Sequence, residues 1–426
     1  MIVQLFRTGA MTIAWLLVVP CLVILFAAIV PVIPWLRIYA VSTVPNHSPW
    51  LAFCSLAGLF IGMLAHIRRR SPLSLTLVGV GGVAVVAAAG VMLHLFAIGL
   101  SNGVWAYPIQ ALSLRGSGEG AAPDESRVYA REDGEPLWLD IYRPRARQPD
   151  TPSPVMVNVH GGAFFEGSRA DGAANMRWYA DRGWTVISID YRLAAAGRPT
   201  WDLATDDVRC ALAWTAAHAA ELHIDIDRLT LSGRSAGGSL ALAAAYAPGV
   251  APPDPACGPR VPRVASLIVK VPLIDPIDSW NRNGELRDVQ RSYLTRYLGG
   301  PPQQFPQRYA AVDLRRHIAP GNPPTLILGG ADDPLVPPEG AMDFTRRATA
   351  AGNSVKLILF PYSGHDFNTT YGSITNQAIL QIVAHFMADH VAGQTMPSRQ
   401  LARANIAGRT RGVGAQAGST AISVTP

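Results

Sequence analysis

The side chain best placed to do chemistry is Ser235, in the run Thr230-Leu231-Ser232-Gly233-Arg234-Ser235-Ala236-Gly237-Gly238. This G-x-S-x-G turn joins a strand-like apolar run to a helix-like one, and its glycines let the backbone reverse sharply and expose the serine hydroxyl. Such a hydroxyl is a weak nucleophile until a base takes its proton, so a histidine and an acid that orients it must accompany it. Two later runs supply them. Gly329-Gly330-Ala331-Asp332-Asp333-Pro334-Leu335-Val336-Pro337 offers adjacent carboxylates, and Pro361-Tyr362-Ser363-Gly364-His365-Asp366-Phe367 offers the histidine. Either carboxylate could be the acid or a turn residue capping the next helix; Asp333 is preferred because D-P-L-V-P matches the usual acid turn better. Of the ten histidines, only His365 combines a glycine turn after a strand with a position beyond the acid. Upstream, Val159-His160-Gly161-Gly162-Ala163-Phe164 also follows a strand-like run. Backbone N–H groups in such a loop can stabilise the oxyanion of a tetrahedral intermediate. Together these runs describe acyl transfer through a covalent acyl-enzyme, with Ser235 as nucleophile, His365 as base and Asp333 as orienting acid.

These residues need a scaffold that brings distant turns to one edge. Near-continuous apolar runs at 127–130, 137–142, 155–159, 185–190, 229–232, 266–271, 325–328 and 355–360 read as strands buried on both faces. Helical patterns at 170–182, 203–222, 236–247, 338–351 and 374–391 alternate with them. That alternation predicts an α/β domain over 125–392 with a doubly wound, mostly parallel sheet, whose sites lie at the carboxyl ends of the strands. The interval 275–320, with Trp280, Tyr293 and Tyr297, interrupts the alternation and reads as a cap inserted beside those ends. Residues 393–426, rich in Ala, Gly, Ser and Arg, lack apolar periodicity and read as a disordered tail.

The N-terminal quarter is of another kind. A mean hydropathy of +0.19 with 15% charged residues is too apolar for an ordinary soluble enzyme. The excess sits where no Asp, Glu, Lys or Arg occurs: between Arg7 and Arg37, Arg37 and Arg68, and Arg70 and Arg115. About 20 apolar residues cross a bilayer, so spans are expected near 11–31, 50–67 and 74–99, in a transmembrane region 1–104 joined by a linker at 105–124. No A-x-A site follows the first run, which favours an uncleaved helix. Trp35 and Tyr39 read as an interfacial belt, and Gly79, Gly81 and Gly82 would allow close helix packing. His66 and His94 receive no role. Arg68, Arg69 and Arg70 should be cytoplasmic, which leaves residues 37–49 and everything after the third span extracytoplasmic, in a multi-pass protein of a bacterial cell membrane.

Other classes find little support. The net charge of +6 is carried by scattered arginines, which speaks against nucleic acid. Cys21, Cys54, Cys210 and Cys257 have no zinc-site spacing, so no metal or other cofactor is expected. Cys210 and Cys257 could pair if the region is exported, or be two buried thiols. The only lysines, Lys270 and Lys356, look like the residue of a coding bias and carry no weight.

With these motifs the stretch 125–392 resembles the hormone-sensitive-lipase-like carboxylesterases of the α/β-hydrolase superfamily. The resemblance rests on H-G-G-A-F at 160–164, D-Y-R-L-A at 190–194, the helix from Asp206 to Leu222 and G-R-S-A-G-G at 233–238. It implies an α/β-hydrolase fold and hydrolysis of a small-molecule or lipid ester. It also implies an oxyanion hole built at Gly161, Gly162, Ala163 and Ala236, with the N–H groups of the last three as donors and His160 steadying the loop. Two residues depart from the family pattern: Ala163 replaces a glycine and Arg234 a frequent aspartate. An acyltransferase or serine peptidase would use the same triad, and an inactive binding module would lack part of it.

Overall fold

A computed structural model of the protein describes residues 2–68, 70–112, 121–132, 134–146, 151–246 and 255–391. Arg69, part of the linker and the tail expected beyond 392 lie outside the described residues. Three long apolar helices come first: α1 (Ile2–Ile29), α2 (Pro34–Arg68) and α3 (Pro72–Ser101). Each is long and apolar enough to cross a membrane. Leu16, Phe60 and Val86 point away from the bundle, and small residues set its packing. A Cβ on Gly58 would lie 2.4 Å from Val18 Cγ2, and one on Gly81 3.2 Å from Leu59 Cα. Gly79 and Gly82, expected to share this role, have nothing within 4 Å.

The helix α2 differs from expectation. Residues 37–49, expected between the first two spans and outside the membrane, include Pro45 and Pro49. They are helical, with a kink at His47 (φ −130°, ψ 17°). Tertiary contacts described below hold this half of the helix. The loop after it is closed by Ser71, whose side chain accepts from Ser74 N at 3.2 Å in a capping box that starts α3.

Eight strands follow in one sheet: β1 (Glu125–Glu132), β2 (Glu135–Tyr142), β3 (Ser153–Val159), β4 (Thr185–Ile189), β5 (Ile224–Arg234), β6 (Ser266–Lys270), β7 (Thr325–Gly330) and β8 (Val355–Phe360). Their order is β1-β2-β4-β3-β5-β6-β7-β8. β1 and β2 run antiparallel at one edge and the other six strands are parallel. This is the expected doubly wound sheet, and each expected strand is present with boundaries shifted by a few residues.

Successive side chains on a strand face opposite sides, and the two faces of the sheet bury separate cores. On one face Ile327 of β7 joins Val157 and Leu231 under α5 (Ala204–Ala217), α7 (Ala236–Ala245) and α11 (Glu339–Ala350). On the other, Leu326 and Leu328 join Met156 and Ile268 under α4 (Ala173–Ala180) and α12 (Ile374–Val391). The helix α12 also packs against α2 and α3, tying bundle and sheet together. A four-residue helix, α6 (Ala219–Leu222), follows α5. The interval at 275–320 holds three short helices, α8 (Pro276–Asn281), α9 (Arg287–Leu298) and α10 (Pro306–Ala311).

Candidate active site

Ser235 stands between β5 and α7 near the middle of the sheet. Its backbone, at φ 51° and ψ −122°, is in a region L-residues rarely adopt, the strained turn that lifts a serine Oγ clear of the sheet. Close approach enforces it. A Cβ on Gly237 would lie 2.1 Å from His160 O, and one on Gly233 2.2 Å from Gly237 O, so neither position admits a larger residue. The Ser235 N–H donates to Lys270 O at 2.8 Å, pinning the turn to β6.

The acid and the base arrive from the next strands. His365 follows β8, and its Nε2 lies 2.9 Å from Ser235 Oγ while its Nδ1 lies 2.8 Å from Asp333 Oδ2. Asp333 follows β7 and is 3% exposed, so its charge needs partners. Its second oxygen accepts from Leu335 N and Val336 N, both at 2.9 Å. The turn that caps the following segment therefore also aims the carboxylate at the imidazole. Asp332 points elsewhere and pairs with Arg37 of α2. Of the two adjacent carboxylates, Asp333 is the one in contact with His365.

The loop after β3 lies beside Ser235. Gly162, Ala163 and Phe164 have φ of 110°, 49° and 70°, and the left-handed region costs a non-glycine residue about 1–2 kcal/mol. The strain is held in place by packing and hydrogen bonds. His160 stacks on Tyr191 with ring centroids 4.4 Å apart, its Nδ1 lies 2.6 Å from Gly161 O, and the Ala194 N–H donates to Phe164 O at 2.8 Å. Burial lowers the His160 pKa, which keeps the ring neutral. The D-Y-R-L-A run is thereby explained: Tyr191 supports the loop, Asp190 pairs with Arg169, and Arg192 pairs with Asp207, whose side chain is 2% exposed. The N–H groups of Gly162, Ala163 and Ala236 donate to no protein acceptor among the described residues. Beside them a cavity of about 200 Å³ is lined by Ser235, His365, Leu273, Tyr293 and Leu294.

Comparison with known proteins identifies the family. A family model described as BD-FAE matches residues 139–347. The chain is 31% identical to esterase LipC of Mycobacterium tuberculosis over 258 residues, 58% of this chain and 61% of that one. It is 30% identical to an ethyl acetate hydrolase of Pseudomonas putida over 251 residues, 58% of this chain and 76% of that one. The butyrate-bound structure of esterase 2 from Thermogutta terrifontis superposes with a TM-score of 0.54 and 27% identity, covering 66% of this chain and 97% of that one. The chain belongs to the α/β-hydrolase esterases. It spans about three-fifths of the length of the mycobacterial relatives it matches.

The apolar helices do more than precede the sheet, and they supply neighbours of the site that the sequence did not reveal. The first half of α2 lies on the turn that carries His365. Gly364 N donates to Val41 O at 2.8 Å, and Asn46, 3% exposed, donates to Asp366 O at 2.6 Å and accepts from Thr370 N at 3.0 Å. Thr375 Oγ1 donates to Pro45 O at 2.7 Å, and Arg37 holds Asp332. The residues on either side of His365, and the neighbour of Asp333, are therefore tied to α2. A lone Asn between two prolines at the edge of an apolar run was the only available signal. On the opposite side α9 covers the loop after β3: Tyr297 stacks on Phe164 with centroids 3.7 Å apart, and Gln290 Nε2 donates to Leu335 O at 2.7 Å. Cys210 of α5 is bonded to Cys257, with Cα atoms 5.0 Å apart.

Proposed function

We propose that the protein hydrolyses carboxylic esters through an acyl-enzyme on Ser235, as a hormone-sensitive-lipase-like member of its family. The observation that carries this is the continuous chain Asp333, His365, Ser235 Oγ ending beside three N–H groups without protein acceptors among the described residues. His365 Nε2 takes the Oγ proton as Oγ bonds to the ester carbonyl, and Asp333 stabilises the imidazolium that results. The carbonyl oxygen becomes anionic and is received by the N–H groups of Gly162, Ala163 and Ala236. His365 returns the proton to the departing alkoxide, leaving the acyl group on Ser235. Water then repeats the attack with His365 as base and releases the acid. The cavity beside Ser235 suits a short acyl group, and α8 and α9, which line it through Ser279, Tyr293 and Leu294, act as a cap over it. The relative from P. putida is named for ethyl acetate, and the T. terrifontis esterase is known both butyrate-bound and phosphonylated by sarin. The test is labelling with a fluorophosphonate probe followed by a panel of chromogenic esters of rising acyl length. Stoichiometric labelling and a preference for short chains are expected; failure of both would sink the reading.

The same reading places the enzyme at a membrane surface. The catalytic domain rests on the first half of α2 and follows the end of α3, whereas Arg68 and Arg70 stand at the other end of the bundle. From the His47 kink to Arg68 is about 30 Å at 1.5 Å per residue, close to the thickness of a bilayer core. With the arginine loop cytoplasmic, Ser235 lies outside, and the Cys210–Cys257 bond suits an oxidising compartment. Alkaline phosphatase fused after residue 391 should be active and green fluorescent protein dark; the reverse pattern would make the enzyme cytoplasmic.

Asn46 acts in this scheme as a positioning residue. Replacing it with Ala leaves Asp366 O and Thr370 N without their partners, at about 1–3 kcal/mol for each buried group. Asn46→Ala should lower kcat about tenfold with KM within about twofold, since the substrate cavity is untouched while the His365 turn is loosened. A change in KM alone, or none in either constant, would show that the bundle only anchors the domain.

A further inference from the structure

Behind the oxyanion loop lies a second cavity, of about 450 Å³, which shares Gly162, Glu166 and Arg234 with the cavity at Ser235. Its wall contains Lys270, which ends β6, next to the β5 strand that carries the nucleophile. Lys270 is 7% exposed. Among the described residues its ammonium has no carboxylate and no hydrogen-bond acceptor, and the one charge acting on it is the like charge of Arg234. Burial and that neighbour lower its pKa to about 8, so it is still mostly protonated at neutral pH. A buried ammonium without a counter-charge costs a fold several kcal/mol and is retained where something else compensates it.

Arg234 stands beside it. Its Nη2 pairs with the surface carboxylate of Asp366 and donates to His365 O at 3.3 Å, but its Nε is buried without a partner. Its Nη1 reaches toward the nucleophile: a Cβ built on Gly161 would be 3.7 Å from that nitrogen and 3.5 Å from Ser235 Cβ. The two carboxylates in the cavity wall act on other groups, Asp171 on His160 and Glu166 on Tyr293. Two cations thus converge on a half-open polar space adjoining Ser235, and among the described residues no protein anion answers Lys270.

We propose that this cavity is a subsite for an oxyanion carried by the substrate, so that the preferred esters bear a carboxylate or phosphate group a few bonds from the scissile carbonyl, held by Lys270 and Arg234. The proposal rests on the hydrolase reading and extends it to the substrate class. A hydrogen-bonded charge pair of this kind contributes about 1.5–3 kcal/mol, or roughly tenfold to a hundredfold in relative kcat/KM.

Two matched pairs test it. Monoethyl succinate against ethyl pentanoate places the charge on the acyl side, and acetoxyethyl phosphate against pentyl acetate places it on the alcohol side, as in the headgroup of a phospholipid. The full-length protein should favour the charged member of one pair by at least about tenfold, and which pair responds identifies the side. In Lys270→Met that ratio should collapse toward unity, whereas Lys356→Met, which removes an exposed lysine from β8, should retain it. The ratio is internal to each variant, so a general loss of activity does not imitate the effect. Lys270→Met should also raise Tm by a few degrees, because it removes an uncompensated buried charge. Preference for the neutral member of both pairs, or an unchanged ratio in Lys270→Met, would overturn the subsite. Absence of both ester hydrolysis and phosphonate labelling would instead overturn the hydrolase reading on which it rests.

Discussion

Ser235→Ala is expected to abolish phosphonate labelling and to lower kcat for ester hydrolysis by on the order of 10⁶, the loss seen when a serine nucleophile is removed from an intact triad. A residual acceleration of about 10³ over water should survive, because the N–H donors and the substrate cavity remain. Thermal stability should be almost unchanged. The substitution removes one oxygen from a half-buried turn, and the backbone strain at this position is enforced by Gly233 and Gly237 on either side of it. Alanine tolerates the same φ no better and no worse than serine. The measurement is a paired assay of wild type and variant in the same membranes, with labelling and circular dichroism alongside. Appreciable ester hydrolysis by a folded Ser235→Ala protein would mean that another group is the nucleophile.

The second large effect separates two neighbouring carboxylates. Asp333→Asn should lower kcat by about 10⁴, the cost of presenting the base in the wrong tautomer. The asparagine can still accept from Leu335 N and Val336 N, so the turn should hold while its amide nitrogen faces His365 Nδ1. Asp332→Asn removes only the ion pair to Arg37, both members of which are part-exposed. Exposed and half-exposed pairs contribute about 0–1 kcal/mol, so its loss should stay below about tenfold, and Arg37→Gln should match it. Equal losses in the two variants, or a larger one at Asp332, would reassign the acid.

The order Ser235, Asp333, His365, the glycine loop at 160–163 and the alternation of strands and helices were all legible along the chain, because they are local. A sharp turn needs glycine, a buried parallel strand needs an unbroken apolar run, and a charge-free stretch of bilayer length reports itself in composition. Even the preference for Asp333 over Asp332 could be read from the Pro-Leu-Val-Pro that follows. Contacts between segments far apart in the chain decided the rest. Asn46 reaches Asp366 and Thr370 across more than 300 residues, and Arg37 reaches Asp332. These bonds hold residues 37–49 as a helix despite two prolines. Pairing of Cys210 with Cys257 likewise waited on the fold, which brings α5 beside the segment that contains Cys257. Lys270 shows the difference most plainly. In composition it was one of two lysines and meant nothing, since a lysine at a strand end is ordinarily solvated. Only the packing of β5, β6 and the loop after β3 buries most of this side chain and leaves it, among the described residues, without a counter-charge on the wall of a cavity beside Ser235, and burial is a property of the packed structure that no local pattern encodes.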